Sequence, residues 1–167
     1  MMERRAISEV RAEGRRLVGY AATFGTEARI GDFIEVIERG AFAETLETRG
    51  DILALVDHDP TRLLARTRTG TLRLNEDQRG LAFEIDVPDT TLGNDVLAIA
   101  DRGDLGGMSF GFAVRDEDWN GRRRTLRAVE LGEVSVVHSF PAYDGTSVTA
   151  RFACPRRSRA KRYLETL

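Results

Sequence analysis

The chain has 167 residues, 41% of them hydrophobic and 31% charged, enough for one domain that buries a single core. Its 25 Lys and Arg against 27 Asp and Glu leave a net charge of −2, which gives no reason to expect nucleic acid or an anionic membrane as partner. A lone cysteine, Cys154, cannot form an internal bridge, so a secreted disulfide scaffold is unsupported, and no apolar run approaches the about 18 residues of a membrane span.

Taken in chain order, residues 1–16 mix Glu and Arg without a signal-peptide core, so a soluble, cytoplasmic protein is expected. Period-two alternation predicts half-buried strands over Leu17 to Phe24, Phe33 to Ile37, Thr71 to Leu74 and Leu81 to Val87. Ile52 to Val56 is a continuous apolar run that ends at Asp57-His58-Asp59-Pro60, the pattern of a strand buried on both faces. Further strands are expected at Met108 to Val114, Thr125 to Val137 and Ser147 to Phe152. Two helices interrupt the series, one over Ala41 to Thr48 and one over Leu92 to Asp101. Thr90 or Thr91 would cap the second, and Gly103 would end it. After Phe152 the chain becomes a short basic tail, Cys154-Pro-Arg-Arg-Ser-Arg-Ala-Lys-Arg, so residues 1–152 are expected as the domain and 153–167 as an appendage. Many short strands with a few helices predict a mainly β, barrel-like fold.

The most informative segment is Gly106-Gly107-Met108-Ser109-Phe110-Gly111-Phe112. On a strand, Met108, Phe110 and Phe112 line one face, and Ser109 sits on the other between Gly107 and Gly111. Glycines weaken a strand, so here they mark a close approach by another backbone, such as a peptide substrate. The letters also satisfy the G-x-S-x-G nucleophile elbow, but that motif needs a helix directly after the serine, and Phe110 to Trp119 reads as a strand entering a turn. A glycine-rich core strand whose serine merely bonds a backbone group is the competing reading.

Only His58 and His138 can serve a histidine-dependent mechanism. His58 ends a buried strand, where functional side chains collect, and imidazole suits the transfer of a hydroxyl proton. A metal at Asp57-His58-Asp59 would lack further ligands, since neighbours on one strand point to opposite faces, and no metal or cofactor is expected. A base needs an acceptor behind it. Glu133, among apolar neighbours in Val129-Glu-Leu-Gly-Glu-Val-Ser-Val-Val137, is the first candidate, with Glu130 and His138 as competitors on the opposite face of a regular strand. An ion pair of Glu133 with an arginine such as Arg127 is the alternative.

These pieces resemble the prohead maturation proteases of tailed phages, related in fold to the herpesvirus assemblin proteases. The matching features are Gly19-Tyr-Ala-Ala-Thr-Phe24, Gly31-Asp-Phe-Ile-Glu, Glu38-Arg-Gly-Ala-Phe42, Asp57-His58-Asp59, Gly80-Leu-Ala-Phe83, Gly107-Met-Ser109-Phe-Gly-Phe112, Glu133-Val-Ser-Val-Val137 and Phe140-Pro-Ala142, in that order. The resemblance implies a herpesvirus-protease-like β-barrel flanked by helices, and a serine endopeptidase that cleaves phage scaffold or major capsid protein extensions inside the assembling prohead, in the host cytoplasm. It matches His58 to the family histidine and Ser109 to the family serine, leaves Glu133 or His138 as third member, and suggests the Phe140 to Tyr143 region for oxyanion binding. Self-cleavage and homo-oligomerisation within the prohead are further expectations of that resemblance. A catalytically inactive β-barrel module that binds scaffold, or an esterase with the same serine, are the rival functions.

Overall fold

The computed structural model describes residues 1–7, 10–48 and 50–139. Within them the chain forms eleven strands and two α-helices: β1 Glu3–Ile7, β2 Val10–Glu13, β3 Arg16–Thr23, β4 Ala28–Ile30, β5 Phe33–Ile37, α1 Ala43–Glu47, β6 Leu53–Val56, β7 Asp59–Arg66, β8 Leu72–Glu76, β9 Gly80–Asp86, α2 Thr91–Asp101, β10 Gly107–Asn120 and β11 Arg123–Val137. The expected mainly β architecture is present, as are the alternating strands and both helices. The strand expected at Ser147 to Phe152, Cys154, the Phe140 to Tyr143 region and the basic tail lie outside the described residues.

The strands form two sheets around one core. Four of them make an antiparallel sheet in the order β2-β3-β9-β8, and seven make a mixed sheet in which β1, β10, β11, β5 and β4 follow one another. The inward faces meet through Leu17, Leu81, Phe83 and Ile85 from the first sheet and Val56, Phe110, Phe112, Val134 and Val136 from the second, all essentially buried. Phe110 anchors the contact, stacked on Phe112 and edge-on to Phe42, with ring centroids 5.2 and 5.7 Å away.

β11 is too long for one neighbour on its outer edge and has three. Its start, Arg123 to Leu126, runs parallel to β5, and Glu133 to Val136 runs parallel to β6. Between them the segment around α1 satisfies the edge: Val129 N–H donates to the Ala41 carbonyl (2.9 Å) and Leu131 N–H to the buried Thr45 hydroxyl (3.0 Å). The helix expected over Ala41 to Thr48 therefore seals a gap in the sheet and pairs two backbone donors that no neighbouring strand reaches. At α2 the Thr90 hydroxyl accepts the Gly93 N–H (3.1 Å), and Gly103 past the helix end takes a left-handed φ of 72°, both as expected.

The N-terminal residues, charged and without an evident pattern, form an edge strand beside β10. Their anchor is ionic. Arg5 grips Glu35 with two hydrogen bonds (2.5 and 2.7 Å), while Glu3 accepts from Arg5 (2.8 Å) and twice from Arg124 (both 2.7 Å). Arg5, Glu35 and Arg124 are buried, so each charge depends on the others for its solvation. Hydrogen bonding from Arg124 outweighs burial and lowers the Glu3 pKa below the ordinary carboxylate value.

Candidate active site

Ser109 lies near the start of β10, which continues unbroken to Asn120, so the serine stands on a strand and not on a strand-to-helix elbow. Met108, Phe110 and Phe112 point into the core, as alternation requires. On the other face, antiparallel pairing places Ala6 of β1 and Ser135 of β11 beside Ser109, and Arg4 and Glu133 beside Gly111. Directly opposed side chains on one face have Cβ atoms about 4.5–5.5 Å apart. Ser109 is fully buried, and its hydroxyl makes no hydrogen bond. Buried polar atoms seldom go unpaired, and those that do often belong to reactive sites.

The glycines have separate reasons. A Cβ at Gly111 would lie 2.6 Å from Glu133 Oε1, so this glycine makes room for the protein's own carboxylate, an occupant that sequence alone did not indicate. Gly132 sets the phase of β11. Gly111 pairs with Glu133 but Phe112 pairs with Leu131, which leaves Gly132 as the extra residue of a β-bulge. Below the bulge Leu131 faces the core; above it Val134 and Val136 do, and Glu133 and Ser135 turn to the Ser109 face. In a regular strand Leu131 and Glu133 would share a face, and one of them would be misplaced.

The bulge also revises the expectation for the competing residues. It brings Glu130, opposite Ala113, onto the same face as Glu133, but Glu130 is exposed and ion-paired with Arg115. Arg127 pairs with Asp118 and Glu38 and not with Glu133. His138 follows the end of β11 and is bound to Asp57.

His58 reaches this face from β6, whose parallel pairing sets Leu55 beside Ser135 and Val56 beside Val136. The next two residues, Asp57 and His58, form a two-residue turn before Asp59 pairs back to Val56, and their φ angles are +52° and +60°. Such a turn normally carries Asn-Gly, and each non-glycine residue in this conformation costs about 1–2 kcal/mol. Hydrogen bonds offset that cost: Asp57 N–H donates to the Val136 carbonyl (2.9 Å) and His58 N–H to Ser135 Oγ (3.2 Å).

The same serine hydroxyl donates to Glu133 Oε2 (2.6 Å), and Glu133 Oε1 lies 2.5 Å from His58 Nδ1. Imidazole and carboxylate are 12% and 13% exposed, sheltered enough for their pairing to be strong. With Nδ1–H donated to the carboxylate, Nε2 is the basic nitrogen. Arg4 Nε stands 3.9 Å from the same Glu133 oxygen on a side chain that is more than half exposed.

A second acid–imidazole pair sits behind the first. Asp57 Oδ1 accepts the His138 N–H (2.9 Å), and Asp57 Oδ2 lies 2.8 Å from His138 Nδ1 and 2.9 Å from Arg62 Nη1. Burial alone would raise the Asp57 pKa, but these hydrogen bonds together hold it below the ordinary value. Asp57 and His58 thus engage different partners instead of converging as metal ligands. A groove of about 670 Å³ on the outer face of the four-stranded sheet, lined by Val18, Tyr20, Arg73 and Glu84 among others, includes none of Ser109, His58 and Glu133.

The model of the caudovirus prohead serine proteases matches residues 2–159. The chain belongs to that family. It is accordingly a serine protease of phage prohead maturation, active on prohead proteins in the assembling capsid. The matched residues span both sheets and both helices. The solved structure of the bacteriophage T4 capsid assembly protease, gp21, is similar to this chain with a TM-score of 0.54 and 11% sequence identity, covering 82% of this chain and 96% of that one. At that identity the likeness establishes a shared fold. No curated protein matches the sequence. Among the described residues no helix is long and apolar enough to cross a membrane.

Among the features that escaped sequence reasoning, two border the site directly. Ser135 was one apolar-flanked serine among several, with nothing local to link it to residue 58. β1, which borders the Ser109 strand, has no hydrophobic period to announce it.

Proposed function

We propose that Ser109 is the nucleophile of this protease, His58 its general base and Glu133 the carboxylate that orients the imidazole. The observation that carries the reading is the 2.5 Å contact between His58 Nδ1 and Glu133 Oε1, on the sheet face that also bears Ser109 one strand away. His58 Nε2 takes the Ser109 proton as Oγ attacks the scissile carbonyl carbon, and Glu133 stabilises the imidazolium that results. Backbone N–H groups carry the negative charge on the carbonyl oxygen. Collapse breaks the C–N bond, the leaving amine takes the proton from Nε2, and an acyl-enzyme remains. Water, deprotonated by His58, then releases the acid and restores Ser109. The unpaired serine hydroxyl fits this cycle, because catalytic hydrogen bonds often tighten only when substrate is bound.

In this reading the substrates are extensions of the phage major capsid protein and scaffold, reached inside the assembling prohead in the host cytoplasm, where copies of the chain act together. Residues 1–152 supply the protease, and the basic segment 153–167 is a target for self-cleavage. Co-expression of the chain with capsid protein, beside Ser109→Ala, His58→Ala and Glu133→Gln variants, tests the assignment. Wild type cleaves and reacts with a serine-directed phosphonate at Ser109, and the first two variants do neither. Cleavage that persists in purified Ser109→Ala protein overturns it.

A further inference from the structure

We propose that Asp57 and His138 are positioning residues that latch the His58 turn to the strand carrying Glu133; the proposal rests on the reading of His58 as base. The turn is strained at two successive non-glycine residues, and the second is the base itself. An imidazole at the tip of such a turn keeps its direction only if the backbone beneath is fixed. Two hydrogen bonds from its main-chain N–H groups, one to the Val136 carbonyl and one to the Ser135 hydroxyl, hold its near side. The Asp57 carboxylate holds the far side, bonded to the backbone N–H and the ring of His138, with Arg62 of β7 on one oxygen.

The position of His138 gives the latch its purpose. It is the residue after β11 ends at Val137, five residues beyond Glu133 on the same run of chain. The end of that strand is itself held, since Val137 accepts the Gly106 N–H (2.8 Å) at the start of the Ser109 strand. Asp57 therefore joins the base turn to the junction of the two strands bearing Ser109 and Glu133. Among the described residues neither Asp57 nor His138 hydrogen-bonds to His58 Nδ1 or Glu133, so the pair acts through the backbone.

The test uses the full chain with His138→Ala, Asp57→Ala, Asp57→Asn and the double alanine variant. A misplacement of about 1 Å at a reacting group can cost about a hundredfold in rate. Partial release of the turn is expected to lower kcat about tenfold for His138→Ala and further for Asp57→Ala, with KM within about twofold. Asp57→Asn keeps an oxygen acceptor and tolerates the left-handed conformation, so it loses less than Asp57→Ala. The double variant is no slower than the slower single, because both act through one contact. The downfield proton resonance of the His58–Glu133 hydrogen bond should broaden or vanish in Asp57→Ala while the melting temperature shows a folded protein. That signal needs no turnover, so it judges the latch even if Ser109→Ala or His58→Ala exposes a wrong catalytic assignment. A sharp wild-type resonance in Asp57→Ala, or additive losses in the double variant, overturns the proposal.

Discussion

Replacing Gly111 with alanine should disable the protease without unfolding it. The new Cβ meets Glu133 Oε1 at 2.6 Å, and ordinary contact begins near 3.4 Å, so the carboxylate must withdraw by about 0.8 Å. A shift of that size directed away from His58 stretches the Nδ1 to Oε1 distance from 2.5 Å to at most about 3.3 Å, beyond the range of a charge-assisted hydrogen bond. The base then loses its fixed tautomer and the support for its cation. From the rate cost of a misplacement near 1 Å, kcat should fall about a hundredfold.

The effect on stability is smaller because two contributions oppose. A hydrogen bond to a charged group is worth about 1.5–3 kcal/mol, whereas alanine in a strand is favoured over glycine by roughly 0.5–1 kcal/mol. Glu133 is also a flexible side chain that can yield without moving the sheet. Rates of Ser109 phosphonylation by a serine-directed phosphonate and thermal melts on the same preparations separate the two effects. Phosphonylation at the wild-type rate would refute the role given to the carboxylate. Failure to fold would refute the claim that the clash is confined to a side-chain end.

Ser109→Ala removes a buried hydroxyl that has no partner, so the inactive variant should be more stable than wild type by about 1–3 kcal/mol. In a chain of this length that raises the melting temperature by about 2–4 °C per kcal/mol, and a fall on calorimetry would mean that the hydroxyl is satisfied in solution. Glu3 governs acid stability at the N-terminal edge. Its folded pKa lies below the ordinary 4.5, so its contribution is complete above that value and is lost as pH falls through the folded pKa. Glu3→Gln should therefore melt lower than wild type near pH 7, and the gap should close below about pH 4.5. A constant gap from pH 7 to 3 would show that the ionised carboxylate is not what holds Arg124.

The chemistry depends on neighbours that come from distant parts of the chain. Ser135 accepts from the His58 backbone and donates to Glu133, joining base and carboxylate through one buried hydroxyl. Such supporting hydrogen bonds decide how precisely a reactive constellation is held. Glycine contributes by absence, at Gly111 as space for a carboxylate and at Gly132 as the residue that changes the phase of a strand.

Much of this protein is legible in its sequence, because burial leaves a local record. Strands in the core alternate, so Leu17 to Phe24, Leu81 to Val87 and Met108 to Val114 announce themselves, as does the face on which Ser109 stands. Thr90 and Gly103 mark their helix through backbone hydrogen bonding that acts within a few residues. The scarcity of histidine narrows the base to two positions before any coordinate is known. What only the tertiary structure decided is pairing across distance. The bulge at Gly132 depends on the register between β10 and β11, and a slip of one residue there leaves both strands locally unchanged. The N-terminal strand is held by Glu35 and Arg124, which stand 30 or more residues away, so its charged sequence has no pattern of its own. The two imidazole–carboxylate pairs span 75 and 81 residues. Periodicity carries no information at such separations, because an ion pair or hydrogen bond is set by where strands meet in space.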